Sequence, residues 1–339
     1  MNQDVRPAGL VPRRWRATAG SVLAISLIVI STGAVASSLA PEALEGVAPP
    51  RGFNAHEVEG AAPPWGFNAH EMGARAAVDR LPEPMPAFFR NARDQLAWLN
   101  PEPDRWRDRD SPEMDEAWAY DHYVDLENVP PGAMDAPDRF TFLRSLNDAG
   151  LERPERDTGF LHYRILELQE RLVAAWRSWR ATDEHDPHRT WLEERIVNDA
   201  GILGHYVMDA AQPHHTTIHF NGWDADTPNP RGYTTDRDFH SRFERMFVDA
   251  HVSEADIRQA TRTPSLALVD LPSLRRAVRA HIDESHDHVE ELYRLDRDVG
   301  FDPDAPAHPD AVSFTVERIS SGSSMLATLW WSAWVASGT

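Results

Sequence analysis

From residue 65 onward, apolar residues recur three and four positions apart, the spacing that lines one face of an α-helix. The pattern predicts helices over 69–80, 86–99, 159–180, 190–211, 236–250, 272–296 and 311–336. No run alternates apolar and polar residues in the way a half-buried strand does. The last segment contains SSMLATLWWSAWVA, apolar nearly all round, which suits a central helix of a bundle better than a surface one. Pro-rich loops join the segments, and no second flexible linker interrupts them. Residues 65–339 therefore read as one all-α, multi-helix domain.

Upstream the pattern changes twice. Arg6, Arg13, Arg14 and Arg16 precede an apolar run, Ser21 to Ala36, that ends in Ala34-Val35-Ala36. A basic start, a short apolar stretch and a small-residue cleavage site make residues 1–36 a secretory signal, too short to span a bilayer as an anchor. Arg13-Arg14 adds a weak twin-arginine export signal. The mature protein is expected outside the cytoplasm, secreted or periplasmic, with no transmembrane anchor. Residues 37–64 are rich in Ala, Pro, Gly and Glu without helical periodicity and read as a leader or propeptide. Within this stretch Pro49–Glu57 (PPRGFNAHE) returns as Pro63–Glu71 (PPWGFNAHE), and only the second copy runs into a helical pattern. Two copies do not make a repeat architecture.

Composition narrows the chemistry. With 41% hydrophobic residues and 12 tryptophans the chain can bury a large core, which excludes wholesale disorder. There is no cysteine, so disulfides and thiol-based metal or redox sites are excluded. All 34 basic residues are arginine, against 54 acidic ones, for a net charge of −20. That excess argues against a protein that holds nucleic acid on a broad basic surface.

The densest chemical signal is GHYVMDAAQPHH, residues 204–215. His205 and Asp209 stand four apart in a helical segment and so leave the same face. Gly201 and Gly204 keep that helix slim, and Pro213 stops it, leaving His215 on the exit turn. Imidazole and carboxylate at this spacing suit zinc, although the same pair can also be two satisfied interior polar groups. His240 and Glu244 form a second such pair, with Phe239, Phe243 and Phe247 at packing positions. His122, in the stretch DHYVDLE, and Asp104 are further candidates, each ordinary on its own; Asp121 or Asp125 could orient His122. His281, His286 and His288 lie among Asp283, Glu284, Asp287, Glu290 and Glu291, a composition that reads as a solvated helix face. His162, His185, His188, His214, His219 and His251 carry the same structural reading.

Taken in order, Trp65…His70, Asp104, His122, His205-x-x-x-Asp209, Gln212-Pro213-His214-His215 and His240-x-x-x-Glu244 resemble the zinc-dependent phospholipase C and single-strand-specific nuclease superfamily. The likeness runs from about residue 65 to 250. It implies an all-α fold holding three zinc ions in one cleft. Asp104, His122, His205 and Asp209 would hold one zinc, and His215, His240 and Glu244 a second. Trp65, through its free α-amino group and carbonyl, would hold the third with His70 and a bridging Asp209. Asp104 would double as a catalytic proton acceptor. The five-residue step from Trp65 to His70 resembles the nuclease branch, whereas Glu244 and the triplet Asn68-Ala69-His70 resemble the phospholipase branch. In the family this tryptophan is the mature N-terminus, yet 28 residues separate Ala36 from Trp65 here. The third site therefore requires a second cleavage after Pro64.

The resemblance implies hydrolysis of a phosphodiester by metal-activated water. For the substrate, the −20 charge disfavours polyanions at long range and disfavours a zwitterionic phospholipid head group least. Phe67, Trp106, Tyr123, Phe220, Trp223 and Tyr233 could supply base-stacking platforms, and the loop 219–239 a cleft wall. A secreted phospholipase C is thus expected first, and a single-strand nuclease second, with no stable nucleic-acid complex. A zinc-stabilised helical protein without turnover is the non-enzymatic alternative.

Overall fold

A computed structural model describes residues 66–339. The first two predicted segments become α1 (Phe67–Asp79), α2 (Ala87–Asn91) and α3 (Arg93–Leu99). Two short helices follow, α4 (Glu102–Arg105) and α5 (Pro112–Trp118), then α6 (Arg139–Asp148) and α7 (Pro154–Thr158). The long α8 (Leu161–Ala181) and α9 (Arg189–Asp209) run antiparallel, pinned by Trp179 to Glu193 at one end and Arg171 to Asp199 further along. The segment near 240 is α10 (Phe239–Ser241), a π-helical turn (Arg242–Phe247) and α11 (Val248–His251). α12 (Glu254–Ala260), α13 (Leu271–Asp287), α14 (Val289–Asp298) and the 28-residue α15 (Pro309–Ala336) complete the bundle. No strand occurs among the described residues.

Every predicted helical segment is present, those at 86–99 and 272–296 split at Ala92 and His288 and that at 236–250 interrupted by the π-helical turn, and several short helices join them. Their starts have local causes. The Asp138 carboxylate accepts the Phe140 and Thr141 N–H groups, both at 2.9 Å, and opens α6. Asp270 does the same for α13 through Ser273 N–H at 2.8 Å, with Pro272 in the first turn. Periodicity misses α6 because it buries only Phe142 and Leu146, one turn apart.

α15 explains how a serine-rich helix can lie inside a core. Thr315, Ser323, Ser324, Thr328 and Ser332 each donate to the carbonyl four residues back, so the hydroxyls need no outside partner. Trp330 packs against α9 and donates to the Ala200 carbonyl at 3.1 Å.

Two apolar clusters form the interior. The larger gathers Phe89, Phe142, Trp176 and Trp330, and the smaller gathers Phe239, Phe243, Phe247, Tyr293, Phe301 and Phe314. The end of α9 belongs to both: Tyr206 and Val207 pack in the first, Met208 in the second. His205 and Asp209 therefore sit where the clusters meet. Among the described residues no helix is long and apolar enough to cross a membrane. The signal at 1–36, the leader at 37–64 and Trp65 lie outside the described residues.

Candidate metal centre

The last turn of α9 supplies the hub. His205 and Asp209 are fully buried, and the Asp209 Oδ2 atom lies 3.2 Å from His205 Nε2. Asp104 comes from α4, and His122 follows a 3₁₀ turn over Ala119–Asp121. His122 Nδ1 stands 2.9 Å from His205 Nε2 and 3.1 Å from Asp209 Oδ2. Asp104 Oδ1 lies 3.6 Å from His205 and 3.8 Å from His122. His70, on α1, stacks on His205 with ring centroids 4.3 Å apart and points Nε2 at Asp209 Oδ1, 3.5 Å away.

The second half comes from the chain after Pro213. His215, in a 3₁₀ turn over Pro213–Thr216, stands 3.8 Å from Asp209 and 3.6 Å from Glu244. His240 Nε2 lies 2.8 Å from Glu244 Oε2, the pair spanning the step from α10 into the π-helical turn. All sequence-predicted ligands among the described residues thus converge. They form three groups that could hold a metal: His70 with Asp104 and His205, His122 with His205 and Asp209, and His215 with His240 and Glu244. His70 stands closer to Asp104 and His205 than the sequence pattern alone implies.

Burial and charge set the protonation of these groups. Burial holds the His122 and His205 rings neutral, down to about 4 and about 3. Burial and the Asp209 carboxylate push the Asp104 carboxyl well above its usual range. Burial opposes the charged forms of Asp209 and Glu244, but the facing histidines outweigh it and hold both carboxyls well below theirs. His215 rises to about 9 because Asp209 and Glu244 overcome burial. Two buried carboxylates, Asp209 and Glu244, thus stand in one cluster with the neutral rings of His122 and His205, whose lone pairs are available, and a cation would displace the protons held by Asp104 and His215.

The donor set fits a metal on a further count. His70 Nε2, both Asp104 oxygens, Asp209 Oδ1 and His215 Nε2 are buried without a hydrogen-bond partner among the described residues. Buried polar atoms are almost always paired, so a concentration of unpaired nitrogen and oxygen atoms marks a place for a coordinated ion. Mixed imidazole and carboxylate donors suit zinc among the common metals.

Outer contacts hold several of these side chains. The His122 carbonyl accepts from His215 Nδ1 at 2.7 Å, turning His215 Nε2 toward Glu244. Gln212 Nε2 donates to Glu244 Oε2 at 3.0 Å, while Gln212 Oε1 accepts the His214 N–H at 2.7 Å. Asp121 does not hydrogen-bond to His122; it pairs with Arg139 at 3.0 Å and Arg164 at 2.7 Å. Asp125, the other proposed orienter, makes no such bond either. His214 packs edge-on against Phe239, Phe243 and Tyr293 and is buried, not on the solvated face that the sequence reading gave it.

Sequence reasoning missed Arg107. It follows Asp104 by one helical turn, is half-buried, and forms no ion pair among the described residues. Its charge acts on both Asp104 and His122. The signal was its three-residue distance from Asp104 in an otherwise acid-rich stretch. The aromatic candidates divide: Trp106 packs on Trp118 and Trp223 stacks on His219, whereas Phe67 is 37% exposed beside Arg105.

Comparisons with known proteins add little. No protein-family profile and no curated protein matches the chain. A solved structure, the alpha toxin from Clostridium absonum, aligns with a TM-score of 0.40 and 12% identity over 77% of this chain. The chain spans 63% of the toxin's length.

Proposed function

We propose that this chain is a secreted zinc-dependent phosphodiesterase of the phospholipase C and single-strand nuclease superfamily, acting in the manner of a phospholipase C. The observation that carries the reading is the convergence of His70, Asp104, His122, His205, Asp209, His215, His240 and Glu244 on one buried locus. Those residues come from five separate stretches of chain, and packing alone gives no reason to gather them. Zinc held there would place positive charge on phosphoryl oxygens and lower the pKa of a water from about 15.7 toward 7.

The protein's own groups have separable tasks. Asp104, with both oxygens unpaired, is positioned to accept a proton at the cluster. Gln212 and the His122 carbonyl fix Glu244 and His215 before any substrate arrives, which lowers the cost of reorganisation. Arg107, whose charge acts on Asp104 and His122, would offer a cation to a phosphodiester oxygen. An unpaired arginine beside Asp104 also favours the second reading, a nuclease, because a polynucleotide brings further phosphates. The zwitterionic substrate remains preferred on the −20 charge of the chain.

Purified protein offered phosphatidylcholine, single-stranded DNA and a chromogenic phosphodiester, each with and without chelator, separates the readings. Chelator-sensitive release of phosphocholine supports the first, and chelator-sensitive DNA cleavage the second. Zinc uptake without hydrolysis of any of the three leaves the non-enzymatic alternative. The third zinc has its own test. The chain has no lysine, so the α-amino group is its one primary amine. If that group belongs to Trp65 and binds metal, an amine-acylating reagent should modify it only after chelation. Equal labelling of both forms removes it as a ligand.

A further inference from the structure

His70 is held by a side chain that no ligand motif contains. Asn100 is fully buried at the end of α3, and its Oδ1 atom lies 2.8 Å from His70 Nδ1. With Nδ1–H donated to this oxygen, the His70 lone pair is left on Nε2, the atom that faces Asp209 and has no hydrogen-bond partner among the described residues. The amide is itself wedged in place. A Cβ added at Gly204 would overlap Asn100 Nδ2, so the amide fits only because α9 carries a glycine one residue before His205. One turn earlier, Gly201 makes the same room for Leu99.

The arrangement satisfies one buried group and leaves another without a partner. Asn100 Nδ2 is buried and finds no acceptor among the described residues. An apolar residue of similar size would remove that donor but strand His70 Nδ1–H in its place. A buried amide kept at the expense of an unpaired donor, with its oxygen on the outer nitrogen of a candidate ligand, has the form of a site held for function.

We propose that Asn100, seated by Gly204, is the positioning residue for His70, fixing its tautomer and ring orientation so that Nε2 can take a metal. The inference rests on the metal centre proposed above and concerns the His70 part of it alone.

The test is metal stoichiometry and affinity on the full protein, read by elemental analysis and by competition with a zinc chelator, with His70→Ala as the reference. Asn100→Leu should lose the same metal equivalent as His70→Ala, or bind it 10- to 100-fold more weakly. Its metal-free form should melt within a few degrees of the metal-free wild type, because one stranded donor, Asn100 Nδ2, is exchanged for another, His70 Nδ1–H. Asn100→Asp, which can still accept from Nδ1–H, should keep the metal. In nitrogen-15 spectra the wild-type His70 should be the Nδ1–H tautomer, and in Asn100→Leu a mixture. Wild-type stoichiometry and affinity in Asn100→Leu would overturn the role of Asn100 while leaving the centre intact. Failure of the wild type to bind zinc would overturn both.

Discussion

Two parts of this molecule are built from the same side chains and do different things with them. Around the end of α9, histidines and carboxylates from distant stretches face one another, and many of their atoms lack partners. Along α13 and the start of α14, His281, His286 and His288 stand among five acidic residues, and each finds a separate partner. His281 Nε2 meets the Val207 carbonyl at 3.3 Å, His286 Nδ1 the Thr216 carbonyl at 2.9 Å, and His288 Nδ1 the Glu291 carboxylate at 2.9 Å. None of the three enters a metal-holding group among the described residues. The difference lies in direction. On one amphipathic helix like charges diverge around the axis, whereas five stretches packed on a common centre make them converge.

Substitutions can break that contrast. The largest effect is expected at the hub: His205→Ala should lower zinc content and drop chelator-sensitive hydrolysis by three orders of magnitude or more, roughly the loss seen when a catalytic group acting as part of a unit is removed. Retained activity would show that convergence is only packing. Chelation should come next. A metal bound only by the folded chain at 100 to 1,000 times its Kd stabilises it by about 3–4 kcal/mol. Melting on chelation should therefore fall by on the order of 10 °C, measured by calorimetry. An unchanged melting temperature would equate the two regions.

A smaller effect separates burial from metal binding. His162 is buried between Phe142 and Tyr163, with neither ring nitrogen hydrogen-bonded among the described residues. Burial, reinforced by Arg279 and Arg275, holds its pKa well below 6.5. The unfolded chain therefore takes up a proton below about pH 6.5 that the folded chain refuses, and stability falls as pH drops through that value. His162 contributes about 1.4 kcal/mol per pH unit to a slope it shares with the buried His122, His205, His214 and His281, and His162→Phe should reduce the slope by that share. Melting curves of chelated protein between pH 7 and 5 check this; parallel decline of both forms would refute it. The smallest effect is expected on α13: His286→Ala should leave zinc content unchanged and activity within about twofold.

Much of the centre was legible in the chain because its chemistry is local. His205 and Asp209 share a face by spacing alone, and Pro213 places His215 on the exit turn. The order of the remaining candidates carried the rest through a resemblance. What stayed hidden depends on contacts between distant elements. Nothing near Asn100 announces that its amide will meet His70, and Gly204 looks like a helix-slimming residue until the side chain it accommodates is known. Asp121 was misread for the same reason: its neighbour in sequence is His122, but its partners in space are Arg139 and Arg164. The helical plan was readable wherever a helix buries a stripe several turns long. It was unreadable for α6, which begins at a capping aspartate and buries two residues.

Met208 has a consequence for chemical ageing. Its thioether is wholly buried one residue before Asp209, between α1 and α15, where both neighbours are glycines. A Cβ at Gly322 would come within 2.9 Å of its sulfur, and one at Gly73 would overlap its terminal methyl. A sulfoxide would put a polar oxygen into that buried, closely packed gap. The closed fold keeps oxidants from the sulfur. A chain that has opened once in the presence of peroxide would carry the lesion back to the one position where three helices and the hub of the cluster must close together. In a protein without cysteine, methionine is where oxidative history would be recorded, and at this position it would be recorded as failure to refold.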